Sequence, residues 1–262
     1  MRRTCYVSDW DKWVKKGRGQ GDYSDYKPWF TIRDVPSHAV RTRLFSQRFQ
    51  RVFTFLSHGE LQTFLILEWN DEVDQIKEQY PLDPSLTVRI ARELDIRHPA
   101  ICGRDVVMTT DFVVEYLRKS GRRQTKAFQI KQSSADVENL RANEKLQIEQ
   151  AYWQEKGCFW RLIYSSGYNG TKCSNLQWLF RWRNQPFDRS DLYWLHDVLI
   201  ELIKQGRIDA SNVSKPIIRL PKSGQVMSFY DAFYSLVAHK QIAFDVESQP
   251  VQTFAAQSMR LC

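Results

Sequence analysis

Apolar residues recur along this chain in two rhythms, and the rhythms mark out its elements. Arg51-Val52-Phe53-Thr54-Phe55-Leu56 reads as a strand, after loops and short strands from residue 22. A helix follows from about Gly59 to Asn70, with Leu61, Phe64, Leu65 and Glu68 at helical spacing. Ser57 as N-cap and Glu60 three residues later make a capping box at its start. The stretch through Pro81, Pro84 and Pro99 is rich in proline and charge and reads as a loop. Val106 to Leu117 and Lys126 to Lys131 are strand-like on either side of a Gly121–Gln124 turn. Val137 to Glu155 predicts a long helix ended by Gly157, and Phe159 to Tyr164 a further strand.

This order predicts an α/β domain around a mixed sheet. The texture changes after Ser165-Ser166-Gly167. Asn175–Arg183, Ser190–Gln205 and Met227–Lys240 read as helices, and Ile242–Val246 as a strand. Three helices and a strand fit a smaller, winged-helix-like domain. The expected division is residues 1–168 and 169–262.

Charge changes the picture in one place. The net charge is +8, and residues 1–50 carry 11 Lys/Arg against 5 Asp/Glu, whereas residues 51–100 carry 5 against 9. Lys15, Lys16 and Arg18, spaced by Gly17 and Gly19, can follow a phosphate backbone, because cations displace condensed counterions and glycine lets the main chain approach. The plainer reading is a solvated, poorly ordered N-terminal arm. The five cysteines are scattered with no C-x-x-C pair, which indicates neither a zinc site nor a disulfide framework. No apolar run reaches membrane-helix length, and the first residues lack a signal-peptide core, so a soluble cytoplasmic protein is expected.

The candidate chemistry lies in the α/β half. Strand alternation puts Phe128 and Ile130 on one face, assigned to the core, and Gln129 and Lys131 on the other. Asp111 is a carboxylate among apolar strand residues, and burying it unpaired is costly. With Glu60 added, two carboxylates, an amide oxygen and a carbonyl such as that of Ile130 make a hard-oxygen set for Mg²⁺ or Mn²⁺. Lys131 is placed to orient a water and to neutralise charge growing on phosphate oxygens. Each residue has a structural alternative: Glu60 as the capping-box partner of Ser57, Asp111 paired with an arginine, and Lys131 snorkelling from a strand end.

The order Glu60, Asp111, Gln129-x-Lys131 resembles the restriction-endonuclease-like PD-(D/E)xK superfamily, with Gln in place of the second acid. Four stretches narrow the resemblance: Gly17–Gly21 with Tyr26–Trp29; Glu60–Trp69 running on to Ile76–Leu82; His98-Pro99 through Asp111-Phe112; and Gln129–Lys131 with Glu144–Leu146 and Tyr152-Trp153. Together they resemble the TnsA-type endonuclease subunits of Tn7-like heteromeric transposases.

The resemblance implies a Mg²⁺-dependent endonuclease that cuts the 5′ (non-transferred) strands at transposon ends, while a TnsB-like subunit cuts and joins the 3′ ends. Glu60, Asp111 and Lys131 match the family's catalytic positions, and Glu60, Asp111 and Gln129 its metal-binding positions. It also implies a winged-helix-like C-terminal domain and contact with a TnsC-like ATP-dependent regulator; the tail Phe254–Cys262 is compatible with partner docking. Two rivals stay open at this point. One is another PD-(D/E)xK nuclease, such as a restriction or junction-resolving enzyme. The other is a non-enzymatic DNA-binding adaptor on a dead nuclease scaffold.

Overall fold

Nine residues from Val73 to Pro81, which the sequence suggests are loop, form an edge strand of the central sheet. The computed structural model describes residues 5–34, 41–205 and 218–253. The chain's contacts separate into two units, residues 1–167 and 168–262.

In the first unit a four-stranded mixed sheet runs in the order β3 (Val73–Pro81), β6 (Thr109–Leu117), β7 (Arg123–Lys131), β8 (Phe159–Tyr164). The first two pairings are antiparallel and β7–β8 is parallel. One face carries helix α2 (His58–Trp69) and the hairpin β1 (Thr42–Ser46)–β2 (Arg51–Phe55). Phe53, Phe55, Phe64 and Phe112 meet there with ring centroids 4.5–6.4 Å apart. All four are fully buried, each worth roughly 1.5–3 kcal/mol of apolar transfer. The other face packs Leu82, Val113 and Ala127 against Ile90 of α3 (Pro84–Glu93) and Ile148, Tyr152 and Trp153 of α4 (Leu140–Glu155). A short hairpin, β4 (Ala100–Ile101) with β5 (Arg104–Asp105), precedes β6.

The loop reading of 73–93 fails for a physical reason. Strand β3 buries Gln75, Glu78 and Gln79, so polarity masks its alternation. Glu78 is tolerated because Arg51, also buried, donates to both its oxygens at 3.1 and 2.6 Å. Helix α3 too reads as loop in the sequence, although Asp83 caps it by accepting from the Ser85 N–H, with Pro84 in the first turn.

The N-terminal segment is folded where described. Helix α1 (Trp10–Val14) seats Trp13 against Trp29, and Cys5 and Val107 complete the cluster. Gly19 lies at φ +66°, and a Cβ there would meet Pro81 Cγ at 2.3 Å, so the segment packs backbone-close on the end of β3.

In the second unit, helices α5 (Gly170–Arg183) and α6 (Arg189–Lys204) come first, then the hairpin β9 (Ile218–Arg219)–β10 (Val226–Met227), then α7 (Phe229–Ala238). Residues 242–246 form no strand, against the sequence expectation: the Val246 carbonyl accepts from the buried Asn175 amide at 2.9 Å. The short hairpin lies before α7 instead. Trp182 is buried against Tyr234, while Trp178 and Trp194 are partly exposed. The proposed docking tail, 254–262, lies outside the described residues.

Candidate active site

The sheet forks at Asp111. Strands β6 and β7 pair from Leu117↔Arg123 as far as Phe112↔Phe128. Beyond that point β6 stays with β3, through Tyr80↔Thr110, and β7 stays with β8, through Lys131↔Tyr164. Backbone groups at the opening need other partners. The Ile130 N–H donates to Asp111 Oδ2 at 2.8 Å, and the Asp111 N–H donates to Gln129 Oε1 at 3.2 Å. Side chains thus replace the ladder at the position where the carboxylate and the amide stand.

Helix α2 aims its first turn at this opening. Ser57 accepts from the Glu60 N–H at 3.2 Å and its hydroxyl donates to Glu60 Oε1 at 3.0 Å. The Leu56 N–H donates to Glu60 Oε2 at 3.0 Å. A Cβ on Gly59 would lie 2.7 Å from Ser165 Oγ and 3.3 Å from Ile130 Cγ2, so the helix start fits closely over β7 only with glycine there. Glu60 and Asp111 are joined through Gln79, whose Nε2 lies 3.4 Å from Glu60 Oε2 and 3.2 Å from Asp111 Oδ1.

Glu60, Asp111, Ile130 and Lys131 line one cleft of about 580 Å³, with His58, Gln132 and Ser165 around them. Burial, reinforced by the neighbouring Asp111 charge, pushes the Glu60 carboxyl up. Burial also raises Asp111; the Lys131 charge, the Ile130 N–H and the Gln79 amide pull it back. On the far side of Lys131 a second cleft, of about 470 Å³, is lined by Gln129, Lys131, Lys145 and Glu149. Burial pushes Glu149 up to about 8; its Oε1 accepts from Thr110 Oγ1 at 2.7 Å and Trp160 Nε1 at 3.0 Å.

Two raised, like-charged carboxyls facing a cleft with a lysine suit a site that takes a cation. Comparison with known proteins decides the family. The model of the TnsA-like endonuclease N-terminal family matches residues 70–165. The Escherichia coli protein described as transposon Tn7 transposition protein TnsA is 38% identical over 204 residues, 78% of this chain and 74% of that one. The chain belongs to the TnsA-type endonucleases.

The matched TnsA-like domain holds Asp111, Gln129 and Lys131, whereas Glu60 precedes it on α2. Glu60, Asp111 and Lys131 share one cleft, while Gln129 accepts from the Asp111 N–H and lines the second cleft with Lys131. Glu60 caps α2 and also lines the cleft, and among the described residues no arginine pairs with Asp111, whose partners are Ile130, Gln79 and Gln129. The face assignment changes: both faces of β7 are covered, and Gln129 is as buried as Phe128 and Ile130. Of the N-terminal cations, Lys15 and Lys16 are exposed beyond α1. Arg18 is committed elsewhere, with Nη1 2.7 Å from Asp34 Oδ2 and 2.5 Å from the Trp29 carbonyl and its guanidinium over the Trp13 ring. It braces the fold rather than standing free for phosphate.

Gln79 and Glu149, which stand at the fork and in the second cleft, were not singled out from the sequence. Gln79 fell in the supposed loop. Glu149 lay in a helix read as polar, and its burial depends on Thr110 and Trp160, 39 and 11 residues away. Among the described residues no three His, Cys, Asp or Glu side chains converge as a metal-holding group. The donor set still fits Mg²⁺, which keeps several waters and asks for one or two carboxylates. Glu60 and Asp111 would supply the charge.

Proposed function

We propose that this chain is the Mg²⁺-dependent endonuclease subunit of a transposase that cuts the 5′ (non-transferred) strand at transposon ends. The observation that supports it most is the meeting of Glu60 and Asp111 at the β6–β7 fork, with Lys131 in the same cleft. Glu60 and Asp111 would hold the ion, with Gln129 and the Ile130 carbonyl as the neutral oxygens. Mg²⁺, or Mn²⁺ in its place, supplies Lewis-acid polarisation of the phosphate and a water of lowered pKa.

The protein's own part is positional. Ser57 and the Leu56 N–H hold the Glu60 carboxylate, and the Ile130 N–H holds that of Asp111. Lys131 lines the cleft, where its ammonium would neutralise charge on the phosphate oxygens and orient the attacking water. Lys15 and Lys16 are the arm residues left to touch the DNA backbone. Double-stranded end DNA, a TnsB-like subunit for the 3′ strands and a TnsC-like regulator are the partners this reading requires. Among the described residues no helix is long and apolar enough to cross a membrane.

The test is nicking of end-containing DNA by the chain with its TnsB- and TnsC-like partners and Mg²⁺. Cuts at the 5′ ends that vanish with EDTA and with Lys131→Ala support the reading. DNA binding without cuts means an adaptor on a dead scaffold, and cuts indifferent to end sequence and partners mean another kind of nuclease; either overturns it.

A further inference from the structure

Gln79 lies in the Ile76–Leu82 stretch but is not one of the four residues singled out for chemistry, yet its amide contacts both acids. The pairings Glu78↔Phe112 and Tyr80↔Thr110 set it level with Asp111. Its backbone is left-handed, at φ +48°, a conformation that residues with a Cβ seldom adopt. The N-terminal segment holds it there. The Trp29 N–H donates to the Gln79 carbonyl at 3.1 Å, and the Tyr26 hydroxyl to the Glu78 carbonyl at 3.0 Å. Trp29 and Tyr26 are themselves buried.

The side chain is oriented at both ends. Oε1 accepts from Thr109 Oγ1 at 3.4 Å, which leaves Nε2 to donate to Asp111 Oδ1 and Glu60 Oε2. A carboxylate oxygen has more than one lone-pair direction. One hydrogen bond from the amide therefore fixes each carboxyl and leaves it able to face an ion.

We infer that Gln79 is a positioning residue: its amide holds Glu60 and Asp111 at the spacing from which they take a divalent cation, and the Tyr26–Trp29 segment sets the amide. This rests on the metal-dependent reading given above. Partners that orient metal-binding carboxylates are typically worth about 10–100-fold in metal affinity.

The experiment is calorimetric titration of the full-length, metal-free chain with Mn²⁺. Wild type is compared with Gln79→Leu and Gln79→Met, two apolar variants of different shape, in case one fails to fold. The expected result is a Mn²⁺ Kd raised about tenfold or more, with circular dichroism unchanged. Raising Mg²⁺ then restores nicking by the Gln79 variants but not by Asp111→Asn. Mn²⁺ binding by either folded variant as tight as wild type, or tighter, overturns the inference and leaves the nuclease reading standing. Absence of Mn²⁺ binding by wild type itself removes the metal-dependent reading and the inference together.

Discussion

The Ile130 N–H reaches Asp111 Oδ2 at 2.8 Å across the point where their strands stop pairing. One carboxylate oxygen closes the fork, and the other meets Gln79. Asp111→Asn keeps an acceptor for Ile130 but loses the charge. Nicking should fall by at least about 100-fold, as when a charge-stabilising group is removed. The metal-free melting temperature should change little: a neutral amide replaces a costly buried acid, but its N–H₂ group faces the Gln79 amide and forfeits that hydrogen bond. Single-turnover cleavage and calorimetry check the two halves.

Glu60→Gln separates cap from chemistry. Glutamine's one oxygen can still accept from the Leu56 N–H while its amide N–H turns to the Ser57 hydroxyl as donor, so the thermal midpoint stays near wild type, while nicking disappears. Ser57→Ala does the converse on stability, losing roughly 1 kcal/mol of helix capping. A Glu60→Gln variant that nicks normally would reduce Glu60 to a cap.

Glu149 makes stability depend on pH. Its carboxyl ordinarily titrates at 4.5 and is held at about 8 in the fold. The folded state therefore keeps a proton that the unfolded chain releases between those values. That contribution is full below pH 4.5 and is lost as pH rises through 8. Melting curves from pH 5 to 9 should show the gap between wild type and Glu149→Gln shift with pH, the variant gaining relative stability at the alkaline end. A gap constant across that range would contradict the buried, protonated Glu149.

Gly19→Ala places a Cβ against Pro81 at a backbone φ of +66°. Destabilisation of more than about 1 kcal/mol is expected from denaturant midpoints. Because this contact seats the segment that carries Trp29, Mn²⁺ affinity should weaken as well.

The arm cations should divide by role. Replacing Lys15 and Lys16 with alanine should lower DNA affinity and flatten its salt dependence by about two, with no change in melting. Arg18→Ala should lower the melting temperature first, because Asp34 is left nearly buried without its partner. Binding isotherms across a salt series, beside thermal melts, distinguish the two.

Local patterns were legible where one residue type implies one local geometry. Ser57 and Glu60 mark the start of α2, observed from His58 to Trp69, and Phe159–Tyr164 is a strand as read. Asp111 stood out in the sequence because a carboxylate inside an apolar strand is costly to bury unpaired; Glu60, Gln129 and Lys131 joined it as an expectation. Strand β3 was not legible, because its buried polar residues are satisfied by distant groups: Glu78 by Arg51, and Gln79 by Glu60, Asp111 and Trp29. Only tertiary structure opens β6 from β7 at Asp111, and a fork depends on which neighbour each strand keeps, which no single strand's side-chain pattern encodes. The chain's order determined which chemical groups were available; packing decided that Gln79 stands between the acids and that Arg18 holds Asp34 instead of a phosphate.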